Sequence, residues 1–352
     1  MNSEVIIISP EIAPGSGGVA DYTLRILREW GDRIQTRILL PAPNADSGAE
    51  TVERSRAALL EKLPASGGTV LLQYSAYGFD RFGYPRWLLR ALADWKSAGG
   101  GRLVLMLHEI WTFWPALNRN YLVQQLHRRD LRTLLSLADA TFTSTASQAE
   151  HLRELATPRR VEVLPVGSNI RLLGPMSPLR ERGRAVIFGL QSARLRVLRE
   201  LSENLASLAR AGRLTKIATV GGGNSVAGDR TEEQLLCTLP LTNGFQPRGP
   251  LLEAEISAEL ARAEFGLSVQ DELSLTKSGS FMACAAHGLN IISPIADPKR
   301  PAPLCWLTTP AQCLRGLSAE ELQTRSRHLQ AWQEETASWP VIANRFAEAL
   351  AL

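Results

Sequence analysis

Three clusters in this chain have residue types and spacings that could do chemistry. The first is Gly15-Ser16-Gly17-Gly18-Val19-Ala20-Asp21-Tyr22, set between the apolar run Val5-Ile6-Ile7-Ile8 and a helix-like segment ending at Trp30. Glycines let a chain turn tightly and bring its backbone close to a ligand. The helix that follows would offer unpaired N–H groups to an anion. The second cluster is Ser274-Leu275-Thr276-Lys277-Ser278-Gly279-Ser280, which opens the helix-like segment Phe281–His287. Ser278, Gly279 and Ser280 would present N–H groups and two hydroxyls, and Lys277 would add a cation. Such a set can hold a diphosphate, although serine at a helix start is also an ordinary N-cap. The third is His108, with Glu109 beside it, at the end of the strand-like run Leu103-Val104-Leu105-Met106-Leu107. In open α/β sheets ligands gather at the carboxyl ends of the strands, and a histidine there can donate to a hydroxyl or a carbonyl.

Smaller features lie near the same strand ends. Asp271 and Glu272 precede Lys277 and could accept hydrogen bonds from ribose or sugar hydroxyls, or be solvated loop charges. Arg194 and Arg196 follow Phe188-Gly189-Leu190 and could reach a diphosphate, or decorate a helix. Gly221-Gly222-Gly223-Asn224 follows another strand and could approach a base or a phosphate, or be a plain turn. Gln73-Tyr74-Ser75-Ala76-Tyr77 could line an acceptor pocket, Trp111 and Trp114 could stack on a sugar face, and packing accounts for both equally well. Pro165-Val166-Gly167-Ser168-Asn169 could line a cleft or only reverse the chain.

The elements that must position these groups alternate along the chain. Strand candidates are Val5–Ser9, Thr36–Leu40, Thr69–Gln73, Leu103–Leu107, Ala140–Ser144 and Val161–Leu164. Amphipathic segments lie between them: Asp21–Trp30, Glu53–Lys62, Arg86–Trp95 and Tyr121–Leu137. In the last, Leu122, Leu126, Leu134 and Leu137 fall near helical spacing, with Arg128, Arg129 and Arg132 on the other side. Residues 171–184 are rich in proline, glycine and arginine and read as a linker. The rhythm then restarts with strands at Ala185–Phe188, Lys216–Val220, Phe265–Val269, Leu289–Ser293 and Leu304–Leu307. The helices there are Leu195–Ala211, Glu253–Ala263, Ser278–His287 and Ser318–Glu335. Ser318 with Glu321 predicts a capping box. Alternation of this kind predicts an α/β protein with two doubly wound, Rossmann-like domains facing a cleft. The first spans 1–170 and the second 185–337.

The totals agree with that division. A chain of 352 residues suits two domains of roughly 150–180 residues. Its 45% hydrophobic and 21% charged content is that of a folded soluble protein. A net charge of +4 suits anionic substrates or an anionic membrane surface and is too mild to argue for nucleic acid. Cys237, Cys284, Cys305 and Cys313 show no metal-ligand spacing and read as reduced thiols of a cytoplasmic protein. The start, Met1-Asn2-Ser3-Glu4-Val5, lacks the basic region of a signal peptide. No apolar run reaches the ~18 residues of a spanning helix.

Beyond these physical readings, the chain resembles, over nearly its whole length, the retaining glycosyltransferases of family 4, which have the GT-B architecture. Gly17-Gly18-Val19-Ala20-Asp21-Tyr22-Thr23 is similar to the family's first glycine loop. Leu164-Pro165-Val166-Gly167-Ser168-Asn169-Ile170 resembles its domain junction, and Val220-Gly221-Gly222-Gly223 its central strand-turn. Leu275 to Ser293 is similar to its donor-binding helix and following strand, and Ser338-Trp339 with Ile342-Ala343 to its closing helix, which implies that a helix in 338–352 packs back on the first domain. The resemblance implies a nucleotide-sugar co-substrate, UDP- or GDP-linked, held mainly by the second domain, and a glycan or lipid-linked acceptor held mainly by the first. It places Gly17 and Gly18 at the donor phosphate or acceptor, His108 at the donor sugar and Lys277 to Ser280 at the diphosphate. Two departures stand out. The family's paired glutamates would fall at Leu275 and Ala283, and its arginine and lysine after the first strand of the second domain match Arg194 or Arg196 only loosely. A branch with a basic residue, glycine and serine at the helix start is closer to this chain.

The expected reaction is transfer of a sugar with retained configuration. Fixed N–H donors, Lys277 and an arginine would stabilise the leaving diphosphate without a metal or other cofactor. Arg128, Arg129 and Arg132 could touch an anionic membrane. A catalytically inactive nucleotide-sugar binding protein and a sugar-nucleotide epimerase of the same shape are the rivals. A nicotinamide-dependent oxidoreductase would want a carboxylate after the second strand, where Leu39-Leu40-Pro41-Ala42-Pro43 has none.

Overall fold

The computed structural model describes residues 4–15, 17–41, 48–110, 121–157, 160–173, 180–223 and 225–351. Ser16, Trp111, Trp114 and Asn224 lie outside the described residues. The chain divides into two compact units, 1–165 together with 339–352, and 166–338.

The first unit is built on seven strands, β1 (Val5–Ile8), β2 (Thr36–Leu40), β3 (Glu50–Thr51), β4 (Thr69–Tyr74), β5 (Arg102–Leu107), β6 (Ala140–Thr143) and β7 (Val161–Val163), in the order β3-β2-β1-β4-β5-β6-β7. All pairs are parallel. Strands β1 (Val-Ile-Ile-Ile) and β4 (Thr-Val-Leu-Leu-Gln-Tyr) are buried along their whole length, as central strands of a parallel sheet covered on both faces are. The helix Trp339–Leu350 completes this unit. Ala343 accepts a hydrogen bond from Trp30 Nε1 at 3.0 Å, and Phe346 meets Phe142 edge-on at 4.9 Å.

The second unit carries β8 (Glu181–Phe188), β9 (Lys216–Val220), β10 (Phe245–Gly249), β11 (Ala263–Leu267) and β12 (Asn290–Ile292), in the order β10-β9-β8-β11-β12, again all parallel. The serine-led helix start is a capping box as expected: Ser318 Oγ accepts from Glu321 N–H at 3.1 Å, and Glu321 Oε2 from Ser318 N–H at 2.8 Å.

The structure revises several expectations. The second unit begins at Val166, ahead of the proposed linker, because Val166 N–H bonds to Thr276 O at 3.0 Å and Ile170 joins the second core. The far end of the linker is also structured, since β8 starts at Glu181 and Arg184 is buried against Glu259. Leu304–Trp306 is a short 3-10 turn, not a strand, with Leu307 as its extended cap, three residues short of a proline-led helix, Pro310–Arg315. Leu195–Ala211 is two helices, Gln191–Glu200 and Ser202–Arg210. In the helix Tyr121–Leu137 the inward face of the first half holds Gln124, His127 and Asp130, while Leu122 is exposed.

Candidate functional site

In the second unit the chain builds β8, β9 and β10 toward one side and then returns to place β11 and β12 on the other. The gap beyond the carboxyl ends of β8 and β11 is the topological switch point, where such sheets bind ligands. Both strands end in apolar residues that anchor the core; β8 is followed by Gly189, and β11 by Ser268 and Gln270 on either side of the buried Val269. Facing these ends is the start of the helix Gly279–Ala286. Its apolar residues Phe281 to Ala285 are buried, which fixes the helix against the sheet and leaves its first turn at the strand ends.

A small pocket results, lined by Arg196, Ser268, Gln270, Ser278 and Ser280 over a floor of Phe281 and Cys284. Ser278 is the N-cap, accepting from Phe281 N–H at 3.3 Å, and its Oγ lies 3.4 Å from Ser280 Oγ. A Cβ placed on Gly189 would stand 3.2 Å from Ser280 Oγ, so glycine is what lets the strand end and helix start approach this closely. Arg196 reaches Gln270 Oε1 at 3.0 Å and Val269 O at 3.3 Å, which holds its guanidinium at the rim. Lys277 is exposed in the turn just before the cap, and among the described residues no carboxylate lies within ion-pair distance of it. Two hydroxyls, a helix start and the guanidinium of Arg196, which also pairs with Glu200 at 3.7 Å, therefore border a space with the character of an anion site, and Lys277 stands in the turn before it without lining it.

Several expected residues take other places. Arg194 does not face the pocket. It is 1% exposed, paired with Glu232, and donates to Gly189 O at 2.7 Å. Arg196 lies two positions after Arg194 on the same helix, about 200° around its axis, enough to turn one inward and the other to the rim. Asp271 accepts from the backbone and hydroxyl of Ser274 at 2.8 and 2.6 Å, and Glu272 pairs with Arg300 at the surface. Neither carboxylate lines the pocket. Gly222 lies beside it in an open turn, and its carbonyl accepts from Gln191 N–H at 3.0 Å. Leu275 and Ala283, at the positions of the family's glutamates, are buried in the core.

The first unit gathers a different set at its own strand ends. His108 is buried, with Nε2 2.7 Å from Gln73 Oε1 and its ring edge-on to Tyr22 at 5.1 Å. Glu109 accepts from Ser75 Oγ at 3.2 Å. The glycine loop meets a carboxylate from its own chain: Glu11 Oε1 accepts from Ala20 N–H at 3.4 Å, and a Cβ on Gly17 would collide with that side chain. Gly15 N–H is taken by Asp21 Oδ1 at 3.0 Å. The N–H groups of Gly15 and Ala20, flanking Gly17 and Gly18, are thus used internally, the Glu11 carboxylate lies against Gly17, and Gly18 has open space around it. Tyr74 is core, and Tyr77 is half exposed against His127, at 5.6 Å between rings. Sequence reading missed Glu11, His127 and the Gln73–His108 bond. Only Gln73 carried a signal, as an amide closing an apolar strand.

No protein-family model matches the chain, and no curated protein matches it in sequence. Its structure does match solved ones. HepE of Anabaena, solved with UDP and glucose, aligns with a TM-score of 0.62 at 15% identity over 99% of both chains. WaaG, a glycosyltransferase involved in lipopolysaccharide biosynthesis, aligns at 0.58 and 14% identity, over 98% of this chain and 99% of the other. A sucrose-phosphate synthase from Thermosynechococcus elongatus aligns at 0.63 and 13% over 98% of both. The fold is GT-B. In a GT-B chain the pocket at Ser278–Ser280 falls in the carboxyl-terminal Rossmann-like unit.

Proposed function

We infer that this GT-B chain is a retaining glycosyltransferase. It takes a sugar from a UDP- or GDP-linked donor and passes it to a hydroxyl of a glycan or lipid-linked acceptor, in the synthesis of a surface polysaccharide or glycoconjugate. One observation carries the reading. The helix start at Ser278–Ser280 lies at the switch point of the second unit, with Arg196 at its rim and Lys277 in the turn just before it. Solved structures of this fold include one holding UDP and glucose.

In this reading the diphosphate lies against the N–H groups and hydroxyls of Ser278, Gly279 and Ser280. Lys277 and Arg196 neutralise the charge that builds on the leaving group. Arg194 acts behind them, as a positioning residue for the Gly189 and Gly222 turns. His108, oriented by Gln73, donates to the transferred sugar or to the acceptor. Positive charge comes from side chains, so activity is expected to survive EDTA. Arg129 and Arg132 are exposed on one helix and would lie toward an anionic membrane carrying the acceptor. Among the described residues no helix is long and apolar enough to cross a membrane.

Isothermal titration with UDP, GDP, ADP and TDP tests the donor half. Micromolar binding of one nucleotide, lost in Ser280→Ala with Lys277→Ala, is expected; absence of binding by all four would sink the reading. A second reading is favoured by Leu275 and Ala283, which put apolar groups where the resemblance expects carboxylates. It makes the chain a nucleotide-sugar binding protein without transfer. Donor binding with neither donor hydrolysis nor transfer to any glycan or lipid would select it.

A further inference from the structure

The second unit has another depression, at the opposite end of its sheet, where β8, β11 and β12 begin. Arg180 and Arg182 stand at it from the start of β8, Arg213 from the turn before β9, and Arg327 from the helix Ala319–Ala337. Glu264 and Glu320 are the carboxylates on the same wall, so four guanidinium groups face two acids. Glu264 is already engaged by Gly183 N–H at 2.6 Å. Arg180 is held in place by donating to Ala263 O and His287 O, both at 2.6 Å. Arg182, Arg213 and Arg327 are exposed, and among the described residues no carboxylate lies within ion-pair distance of any of them. Arg213 folds over Gly316, a left-handed residue at φ 87° where a side chain would collide with the guanidinium.

The helix supplies the rest of the wall. Gln323, Ser326, Arg327 and Gln330 recur at intervals of three and four residues, which puts them on one face, and all four line the depression. Gln330 is fixed by donating to Ala286 O at 3.0 Å. Guanidinium groups match the oxygens of a phosphate, while amides and a hydroxyl match the hydroxyls of a polyol. We propose that this depression is a second ligand site that takes a phosphorylated polyol of the sugar-phosphate class.

The site shares no lining residue with the pocket at Ser278–Ser280, so the two can be tested apart. Glucose 6-phosphate and inorganic phosphate serve as probes, titrated calorimetrically into the full chain. Three proteins are compared: wild type, Arg213→Ala/Arg327→Ala and Lys277→Ala/Ser280→Ala. Both arginines are exposed, so their truncation is expected to leave the fold unchanged, and circular dichroism of the variant checks this. Wild type and the lysine–serine variant are expected to bind glucose 6-phosphate alike, and the arginine variant about tenfold or more weakly. Inorganic phosphate should bind wild type more weakly than glucose 6-phosphate does. Absence of binding to wild type, binding unchanged in the arginine variant, or loss confined to the lysine–serine variant would each overturn the site. Equal affinity for the two probes would overturn the polyol assignment. UDP titrated into the arginine variant reports on the donor pocket alone, so failure of either reading is seen independently.

Discussion

Arg194 and Glu232 face each other in the interior of the second unit, with Nη2 3.0 Å from Oε2 and Nε 3.1 Å from Oε1. Neither residue is more than a few per cent exposed. The same guanidinium donates to Gly189 O at 2.7 Å, and a Cβ on Gly221 would stand 3.3 Å from its Nη1. The pair thus joins the turns after β8 and β9 to the helices behind them. A buried pair gains little over apolar packing, but removing one partner strands a charge. Glu232→Ala is therefore expected to cost about 3–5 kcal/mol of stability. Arg194→Lys should also destabilise, since an ammonium cannot span the carboxylate and the carbonyl together. Denaturant titration of both variants measures this, and wild-type midpoints would remove Arg194 from its positioning role.

Lys277 and Gly279 test the pocket with little risk to the fold. Lys277 is exposed, and a Cβ on Gly279 would meet only Asn169 Nδ2, at 3.8 Å. Lys277→Ala is expected to weaken UDP binding about tenfold, the weight of one charge-assisted contact to phosphate. Gly279→Val puts branched carbons in front of the helix start and should weaken it further. Thermal melts of both variants should stay near wild type, and calorimetry with UDP reads the binding.

Much of the scaffold was legible in the sequence because buried parallel strands carry short Val/Ile/Leu runs, as at Val5–Ile8 and Val70–Leu72. The strand Phe245–Gly249 was not legible. It is an edge strand with no buried residue, carrying a proline and an arginine, and its composition looks like a turn. The candidate site was legible as loops but not as side-chain directions. A one-dimensional pattern places Arg194 and Arg196 on the same helix and cannot show that Glu232, far along the chain, draws one of them inside. The carboxylate of Glu11 at the first glycine loop is the same kind of omission, a tertiary contact without a local signature.

Gly221 is a backbone position that its neighbours leave no room to alter. Its φ is 133°, a region that side-chain-bearing residues rarely adopt, and a Cβ there would collide with the carbonyl of Gly189. Gly221→Ala should cost about 1–3 kcal/mol from backbone strain alone, and more if the Gly189 turn must move. Because that turn faces Ser280, UDP affinity is expected to fall together with stability. Gly222→Ala, with open space around it, should leave stability nearly unchanged. Paired denaturation and calorimetry on the two variants make the comparison.

His287 should set an acid limb of stability. It is fully buried, with Nδ1 2.8 Å from Ala283 O and Nε2 3.0 Å from Ser257 Oγ. Burial, with Arg180 nearby, holds its imidazole below the usual histidine range of 6.5, although the bond to Ala283 pulls the other way. The unfolded chain therefore takes up the proton first. Its contribution is complete above about pH 6.5 and is lost as the pH falls toward the lower, folded value. His287→Gln should flatten the decline in denaturation midpoint below pH 6.5, and an unchanged slope would show that another group governs that limb.

Asp130 should act in the opposite sense. Its carboxyl is buried on the inward face of the helix Tyr121–Leu137, and Oδ2 has no hydrogen-bond partner among the described residues. Burial raises its pKa, and Arg86, His127 and Arg129 offset that only in part. The native state then holds the proton more tightly than the unfolded chain, so the ionised carboxylate is a liability at neutral pH. Stability from this group is gained as the pH falls through the raised folded value toward 3.8. Asp130→Asn removes the charge and nearly keeps the shape, so it should stabilise the protein at pH 7, with the gain shrinking as the solution is acidified. Tyr74 and Tyr84, whose hydroxyls titrate higher partly because of this carboxylate, should show lower pKa values in the same variant. Denaturation midpoints of the two proteins from pH 7 to pH 4 carry the test: a difference independent of pH would mean that the asparagine acts through packing and not through the lost charge.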